Sequence, residues 1–261
     1  MDKPSSATVS VNDQRGIIQI EVWKMFHAHH KKEDDLVKSV ARKWLKAGVI
    51  DHVVANHVLV LSPHPDDDVF ACGGLLKHLS DGGAKIKTLY FFDGASGNNK
   101  GEREESLIET RESEAVSAVR KLGHSEVNFL RIKDNSKTAP NLWTRILEEI
   151  ATRPIDLILV PNLSDWHPDH VTVSEQFEKA FAKLKEKPEV WHYGVWGIGK
   201  PDIIFPIDPY VSSKREASRC HKSQLKVKRY DEAMLALNEY LGKVFGVSEY
   251  AEVYSRKSDL N

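Results

Sequence analysis

The sequence has few of the features that mark a secreted or membrane protein. It contains two cysteines, Cys72 and Cys220, and no C-x-x-C pair, which excludes a thiolate zinc site. We expect both to be reduced thiols in a cytoplasmic protein. No stretch approaches the length of a transmembrane helix, and the first 16 residues hold no apolar run of the kind that a secretory signal needs. We therefore expect no membrane segment.

A strong charge of either sign is also missing. The chain has 37 Lys and Arg against 38 Asp and Glu, for a formal net charge of -1. This total gives no electrostatic case for binding nucleic acid or an anionic membrane. Hydrophobic residues make up 41% and charged residues 29%, as in an ordinary globular protein, and 261 residues suffice for one sizeable α/β domain.

Strand and helix patterns alternate along the chain from residue 57. The continuous apolar run HVLVLS (57–62) is typical of a strand covered on both faces. Further strands are predicted at 86–92, 127–132, 155–161, 190–196 and 202–208, and helices at 69–79, 102–122, 142–151, 167–184 and over most of 212–241. The alternation predicts an α/β fold, a Rossmann-like three-layer α/β/α domain with a mostly parallel sheet. We assign residues 51–261 to this single domain and residues 1–50 to an N-terminal helical extension.

Two charged turns follow strands of the predicted sheet. The first strand ends in SPHPDDD (62–68), and the fourth is followed by SDWHPDH (164–170). Because the carboxyl ends of parallel strands meet at one edge, we expect both turns at the same functional edge. Three adjacent carboxylates repel one another, and buried charge is costly unless it is paired or coordinates a metal. Helix capping explains one aspartate and a proline, but not the histidines.

Histidine and aspartate, the residue types of these turns, are also the side chains that bind catalytic metals in proteins. Catalytic zinc takes three ligands from His and Asp or Glu and keeps one position for water. His64, Asp67 and one histidine of the second turn would supply them. A neighbouring carboxylate would take a proton from the water, and the other histidine would stabilise an oxyanion.

The paired turns resemble the zinc-dependent de-N-acetylases of the LmbE-like, or PIG-L-like, family. The match rests on HPDD (64–67), HPDH (167–170), Gly73-Gly74, the loop DGASGNNKG (93–101), TRESEA (110–115) and KREASRCHKSQ (214–224), and it spans roughly residues 57–225. Position 68 is Asp, where the family usually has Glu. Because Asp is one methylene shorter, we expect any contact made by that Glu to be altered.

The resemblance implies a reaction and a role for each residue. It implies a hydrolase, dependent on Zn²⁺ or else Fe²⁺, that removes the acetyl group from an N-acetylated amino sugar of the N-acetylglucosamine type, by attack of a metal-bound water. His64, Asp67 and His170 would bind the metal. Asp66 would be the general base, and His167 would polarise the carbonyl or protonate the amine. Further assignments are Asp169 as the partner that orients its neighbouring histidine, and Asn98 and Arg111 as sugar contacts.

Several alternatives stay open from the residues alone. Arg111 fits a salt bridge on a helix surface as well as a sugar contact. A sugar-binding or metal-binding protein without turnover would need neither Asp66 nor His167. An amide hydrolase acting on a non-sugar substrate, a non-haem iron oxygenase and a two-metal phosphoesterase use related ligands. We expect a small molecule or glycoside as the substrate, and a homo-oligomer is compatible with the sequence.

Overall fold

The computed structural model describes residues 47–97, 104–135 and 141–257, together with positions 31, 32, 35 and 38. Most of the predicted N-terminal helical extension, and the proposed sugar contact Asn98, lie outside the described residues. No described helix is both long enough and apolar enough to cross a membrane. The cytoplasmic location expected from the sequence stays a prediction.

The structure gives the bounds of eight strands and seven α-helices, and the described positions 31, 32, 35 and 38 are helical as well. The strands are β1 (Gly48–Val49), β2 (His57–Ser62), β3 (Lys85–Phe92), β4 (Glu126–Ile132), β5 (Leu157–Pro161), β6 (Glu189–Tyr193), β7 (Ile203–Pro206) and β8 (Ala251–Arg256). The helices are α1 (Asp67–Asp81), α2 (Glu104–Lys121), α3 (Leu142–Ala151), α4 (Pro168–Phe181), α5 (Val211–Ser218), α6 (Lys222–Leu225) and α7 (Tyr230–Phe245). Two 3₁₀ turns, Ala95–Gly97 and Asp208–Tyr210, complete the described elements.

All the strands belong to one sheet in the order β1-β7-β8-β6-β5-β2-β3-β4. The pairs β1–β7, β6–β5, β5–β2, β2–β3 and β3–β4 are parallel. β8 is antiparallel to both of its neighbours, β6 and β7. The chain runs outward from β2 through β3 to β4 and then returns to place β5 on the other side of β2. This reversal is a topological switch point, where α/β sheets open a crevice for ligands.

Helices cover both faces of the sheet, as alternation along β2 requires. Val58 and Val60 face a core shared with α1, α2, α5 and α7. Leu59 and Leu61 face a second core shared with α3 and α4. Because successive side chains of a strand point to opposite faces, a strand buried on both sides needs apolar residues at every position. The predicted three-layer α/β/α architecture with a mostly parallel sheet is therefore confirmed.

The structure differs from the sequence prediction at three places. Gly48–Val49 forms a strand within the predicted helical extension, where backbone bonds to Asp202 and Ile204 hold it beside β7. Strand β8 was not predicted. The helical stretch expected over 212–241 is divided into α5, α6 and α7, and the start of α7 carries two acidic residues that favour a new helix N-terminus.

Candidate active site

The two charged turns form one site between β2 and β5. The β2–α1 turn and the start of α4 line a cavity of about 340 Å³ at the carboxyl edge of the sheet. Side chains from the two turns that line it are His64, Asp66, Asp67, His167 and Asp169. Its remaining walls come from the loops after β3, β4 and β6 and from α1, α2, α6 and α7, and include Phe70, Arg111, Asp134, Asn135, Trp196, Gln224, Lys228 and Tyr230.

Asp67 lies between two imidazoles, one from each turn. Its Oδ2 is 3.2 Å from His64 Nδ1 and 3.2 Å from His170 Nε2. His170 is fully buried, and among the described residues its Nε2 has no hydrogen-bond partner despite this short distance. This nitrogen faces the carboxylate oxygen without hydrogen-bond geometry. Such a contact is expected when both atoms are ligands of the same cation. The donor set of two imidazoles and one carboxylate is the one that catalytic zinc and non-haem iron use.

Each of these imidazoles has a second carboxylate on its other nitrogen. Asp169 Oδ2 lies 3.1 Å from His64 Nε2, and Asp165 Oδ2 lies 3.2 Å from His170 Nδ1. Metal-ligating histidines commonly carry such a carboxylate, which fixes the tautomer and the ring orientation. The sequence reading paired Asp169 with a neighbouring histidine, whereas its carboxylate contacts His64. The partner of His170 is Asp165.

The site carries more carboxylate charge than its own cations balance. Burial lowers the pKa of His64, but Asp169 and Asp67 outweigh it and raise the pKa to about 10. Burial likewise lowers the pKa of His170, while Asp67 and Asp165 raise it to about 9. Without a metal, protons on these two rings therefore supply the positive charge that the carboxylates demand.

Asp66 points to a buried guanidinium. Arg111 Nη2 donates to Asp66 Oδ2 at 3.0 Å, and Arg111 Nη1 donates to the Gly94 carbonyl at 2.7 Å. Burial raises the pKa of the Asp66 carboxyl, and the charge of Arg111 opposes that rise. Gly94 has φ +70°, and a Cβ there would lie 2.6 Å from Arg111 Cζ, so glycine is required for this close approach. Arg111 is thus the partner of Asp66, at the cavity wall.

His167 is the N-cap of α4, and its ring is held by the backbone. Its Nδ1 accepts a hydrogen bond from the Asp169 amide at 3.3 Å. Since Nδ1 accepts, the neutral ring carries its proton on Nε2. Burial lowers the pKa of His167, and the nearby imidazole of His64 lowers it further. The ring centroids of His167 and His64 are 5.0 Å apart, so both rings share the cavity.

Asp68 lies behind the cavity wall. It is fully buried, and its Oδ2 accepts a hydrogen bond from Tyr90 Oη at 2.8 Å. Burial raises the pKa of Asp68 to about 7, although the Tyr90 hydroxyl opposes the rise. The shorter side chain at this position therefore meets a hydroxyl of β3.

Asp134 and Asn135, which follow β4, belong to the site although the sequence reading did not select them. Asp134 accepts the amides of Gly94 at 2.8 Å and Ser96 at 2.7 Å, and so fixes the loop after β3. The Asn135 amide, at φ +56°, donates to Asp169 Oδ1 at 3.1 Å. The sequence could have indicated both residues, because polar residues that follow a parallel strand lie at the same edge of the sheet as the two charged turns.

Among the described residues there are two sets of three side chains whose potential metal-ligand atoms lie within 4.8 Å of one another in each set. The first comprises His64, His167 and His170, and the second His64, Asp134 and Asp169. Both carboxylate oxygens of Asp134 accept backbone amides. The Asp67 carboxylate lies 3.2 Å from two imidazoles of the first set, those of His64 and His170.

The C-terminal motif also reaches the cavity, through α6. Ser223 donates its hydroxyl to Glu114 Oε2 at 2.6 Å and its amide to Glu114 Oε1 at 2.8 Å. These bonds tie α6 to α2 and bring Gln224 into the cavity wall. The stretches TRESEA and KREASRCHKSQ are thereby joined in space.

The chain is similar in sequence to a known protein family and to individual proteins. The profile of the family described as "PIG-L: GlcNAc-PI de-N-acetylase" matches residues 59–181, which include both charged turns. The probable N-acetyl-alpha-D-glucosaminyl L-malate deacetylase 2 of Bacillus cereus is 25% identical over 186 residues, covering 65% of this chain and 84% of that protein. The diacetylchitobiose deacetylase of Thermococcus kodakarensis is 26% identical over 222 residues, covering 75% of this chain and 80% of that protein.

A solved structure shares the fold. The N,N'-diacetylchitobiose deacetylase from Pyrococcus horikoshii superimposes with a TM-score of 0.71 at 21% identity, over 85% of this chain and 92% of that one. At this identity the likeness shows the three-layer architecture alone.

Proposed function

The chain carries a PIG-L (LmbE-like) de-N-acetylase domain, and from this premise we propose that it is a metal-dependent hydrolase acting on N-acetylated amino sugars. The observation that carries the proposal is Asp67 Oδ2 at 3.2 Å from an imidazole of each charged turn, with Asp66 beside it and His167 across the cavity. Relatives named as N-acetylglucosamine-type deacetylases support the acetyl sugar as the substrate class.

We assign the metal to His64, Asp67 and His170. Zn²⁺ is the proposed ion, and the same donors accept Fe²⁺. A divalent cation held there would lower the pKa of water and polarise the acetyl carbonyl. Asp169 and Asp165 would orient the two histidine ligands.

The remaining residues of the site would move protons. Asp66, whose ionised form is favoured by the charge of Arg111, would take the proton from the attacking water. A C–O bond then forms at the acetyl carbon and the amide C–N bond breaks. The proton taken by Asp66 would then pass to the leaving nitrogen, and His167 Nε2–H would donate a hydrogen bond to the acetyl oxygen, since Nδ1 is held by the Asp169 amide. The products are acetate and the free amino sugar.

The cavity suits one sugar ring with its acetamide. Its volume of about 340 Å³ lies at the lower end of the range of ligand pockets, roughly 300–1,000 Å³. Gln224 and Tyr230 line it and offer polar groups to hydroxyls. Asn98 and Arg111 stay predictions as sugar contacts, and Arg111, which lines the cavity, also holds Asp66.

The test measures metal content and acetate release on the same purified protein. We expect about one metal ion per chain and acetate release from methyl N-acetylglucosaminide in one or both anomers. Asp66→Asn should keep the metal and lose about 10²–10⁴-fold in rate. His170→Ala should lose the metal. Asp81→Asn, a carboxylate-to-amide change at the exposed end of α1, is the matched control and should change neither.

Two outcomes would contradict the proposal. Full metal content in His170→Ala would place the ion elsewhere. An Asp66→Asn protein that hydrolyses as fast as the parent near pH 7 would assign the base to another group. Sugar binding without acetate release from the parent would favour the alternative of a binding protein without turnover.

A further inference from the structure

Three aromatic rings continue from the cavity onto the protein surface. Trp196 and Tyr230 line the cavity, with ring centroids 5.7 Å apart. Trp166 lies 5.2 Å from Trp196 on the outer side of this wall. Trp196 also stacks on the ring of His167, at 6.4 Å between centroids and 23° between planes. We call Trp166, Trp196 and Tyr230 the aromatic rim.

Trp166 is exposed where a tryptophan would ordinarily be buried. Its exposed fraction is 67%, against 2% for Trp191 in β6. A large apolar surface left in water beside a binding cavity marks a contact site for a ligand.

The rim is held rigidly rather than left loose. Asp165 Oδ2 accepts the amides of Val195 at 3.2 Å and Trp196 at 3.1 Å. Asp165 immediately precedes Trp166, so one buried carboxylate fixes the turn after β5 against the loop after β6. The backbone segments that carry the two indoles are therefore fixed relative to each other, which reduces the entropy lost on binding.

The size of the cavity determines what meets the rim. About 340 Å³ encloses a single N-acetylated sugar, so a group attached to that sugar must lie outside the cavity, and Trp166 is an exposed ring that continues the Trp196 wall. Rigid aromatic faces favour flat contact with a ring over contact with a small open-chain group. On the basis of the proposed function, we infer that the aromatic rim is the subsite for a second sugar ring, and that Trp166 determines specificity for disaccharide-like substrates.

The experiment compares two substrates that each contain one acetamide. One is methyl N-acetylglucosaminide, and the other is N-acetylglucosamine linked to glucose, each tested in both anomers on the metal-loaded full chain. We expect the parent kcat/KM to be higher for the disaccharide. Trp166→Ala should lower kcat/KM for the disaccharide about 3–10-fold and leave the methyl glycoside within about twofold. Trp166→Phe should restore most of the loss.

Leu163→Ala is the matched control, because Leu163 lies in the same turn and is an apolar residue with 50% of its surface exposed. It should leave both substrates unchanged. Equal loss on both substrates in Trp166→Ala, or no loss on either, would overturn the subsite while leaving the hydrolase intact. Release of acetate from neither substrate by the metal-loaded parent would instead refute the proposed function.

Discussion

A buried ion pair beneath α1 contributes to holding the helix that begins at the β2–α1 turn, and its contribution can be measured. Lys214 Nζ of α5 lies 2.7 Å from Glu252 Oε1 of β8, and the two side chains are 0% and 1% exposed. Glu252 also accepts the amides of Gly74 at 2.8 Å and Leu75 at 2.9 Å and the hydroxyl of Tyr254 at 2.7 Å. The carboxylate thus ties β8 to the helix that begins at the proposed metal ligand.

The contacts predict that replacing Glu252 lowers the free energy of unfolding more than replacing Lys214. Glu252→Leu leaves Lys214 as a buried cation without its carboxylate, which should cost about 3–5 kcal/mol. Lys214→Met leaves a carboxylate that keeps three donors, so we expect about 1–3 kcal/mol. The double variant removes both charges and should be more stable than Glu252→Leu alone. The pair therefore predicts a coupling free energy of about 2 kcal/mol or more.

Urea denaturation of the parent, both single variants and the double variant measures these free energies of unfolding. Lys77→Met is the control, because its partly exposed pair with Asp81 should contribute under about 1 kcal/mol. If Glu252→Leu does not fold, Glu252→Gln keeps the shape and should still destabilise more than Lys214→Met. A cost below about 1 kcal/mol for Glu252→Leu, or costs that simply add in the double variant, would refute the reasoning.

Three further predictions follow from the charges of the site and the core. Arg111→Met should move the acid limb of the pH profile of kcat/KM to higher pH, because loss of the guanidinium raises the pKa of Asp66, which must be ionised to act. The exposed Arg120→Met is the control and should leave the limb in place. An unmoved limb in Arg111→Met would contradict this role of Arg111. Burial lowers the pKa of His124 to about 4, and neither ring nitrogen has a hydrogen-bond partner in the described part of the chain. The unfolded chain binds the proton first, so the free energy of unfolding falls by roughly 3 kcal/mol between about pH 6.5 and 4, and His124→Phe should remove most of that fall in urea titrations. Chelation should lower Tm by roughly 5–10 °C, reversibly on adding Zn²⁺, in the parent but not in His170→Ala.

The strongly apolar elements could be predicted from the sequence, and β8 could not. The predicted helix at 142–151 coincides with α3, and the strands at 57–62 and 155–161 contain β2 and β5. In β8, Glu252 stands among apolar residues that would otherwise indicate a buried strand. Its burial depends on Lys214 and on two amides of α1, all distant in sequence. A charge satisfied by tertiary contacts thus conceals a strand from pattern analysis.

The residue types of the site could be read from the two turns, whereas their pairing could not. Asp169 is next to His170 in sequence, yet adjacent residues of a helix point in different directions, and its carboxylate contacts His64. Arg111 has acidic neighbours on its own helix, which favours a surface pair. It is instead 4% exposed and bonded to Asp66. Sequence spacing gives the face of a helix, but not what lies opposite that face.

The sheet order is what makes the metal position possible. His64 and Asp67 precede or begin α1, which packs on one face of the sheet, and His170 lies in α4, which packs on the other. Their ligand atoms meet because β2 and β5 are neighbours, although about 100 residues separate the two turns. Any pairing of strands that separated β2 from β5 would divide the ligand set between two places. We therefore expect stoichiometric metal binding to appear only after β5 has docked beside β2, so that metal uptake during refolding should follow the formation of the central sheet and never precede it.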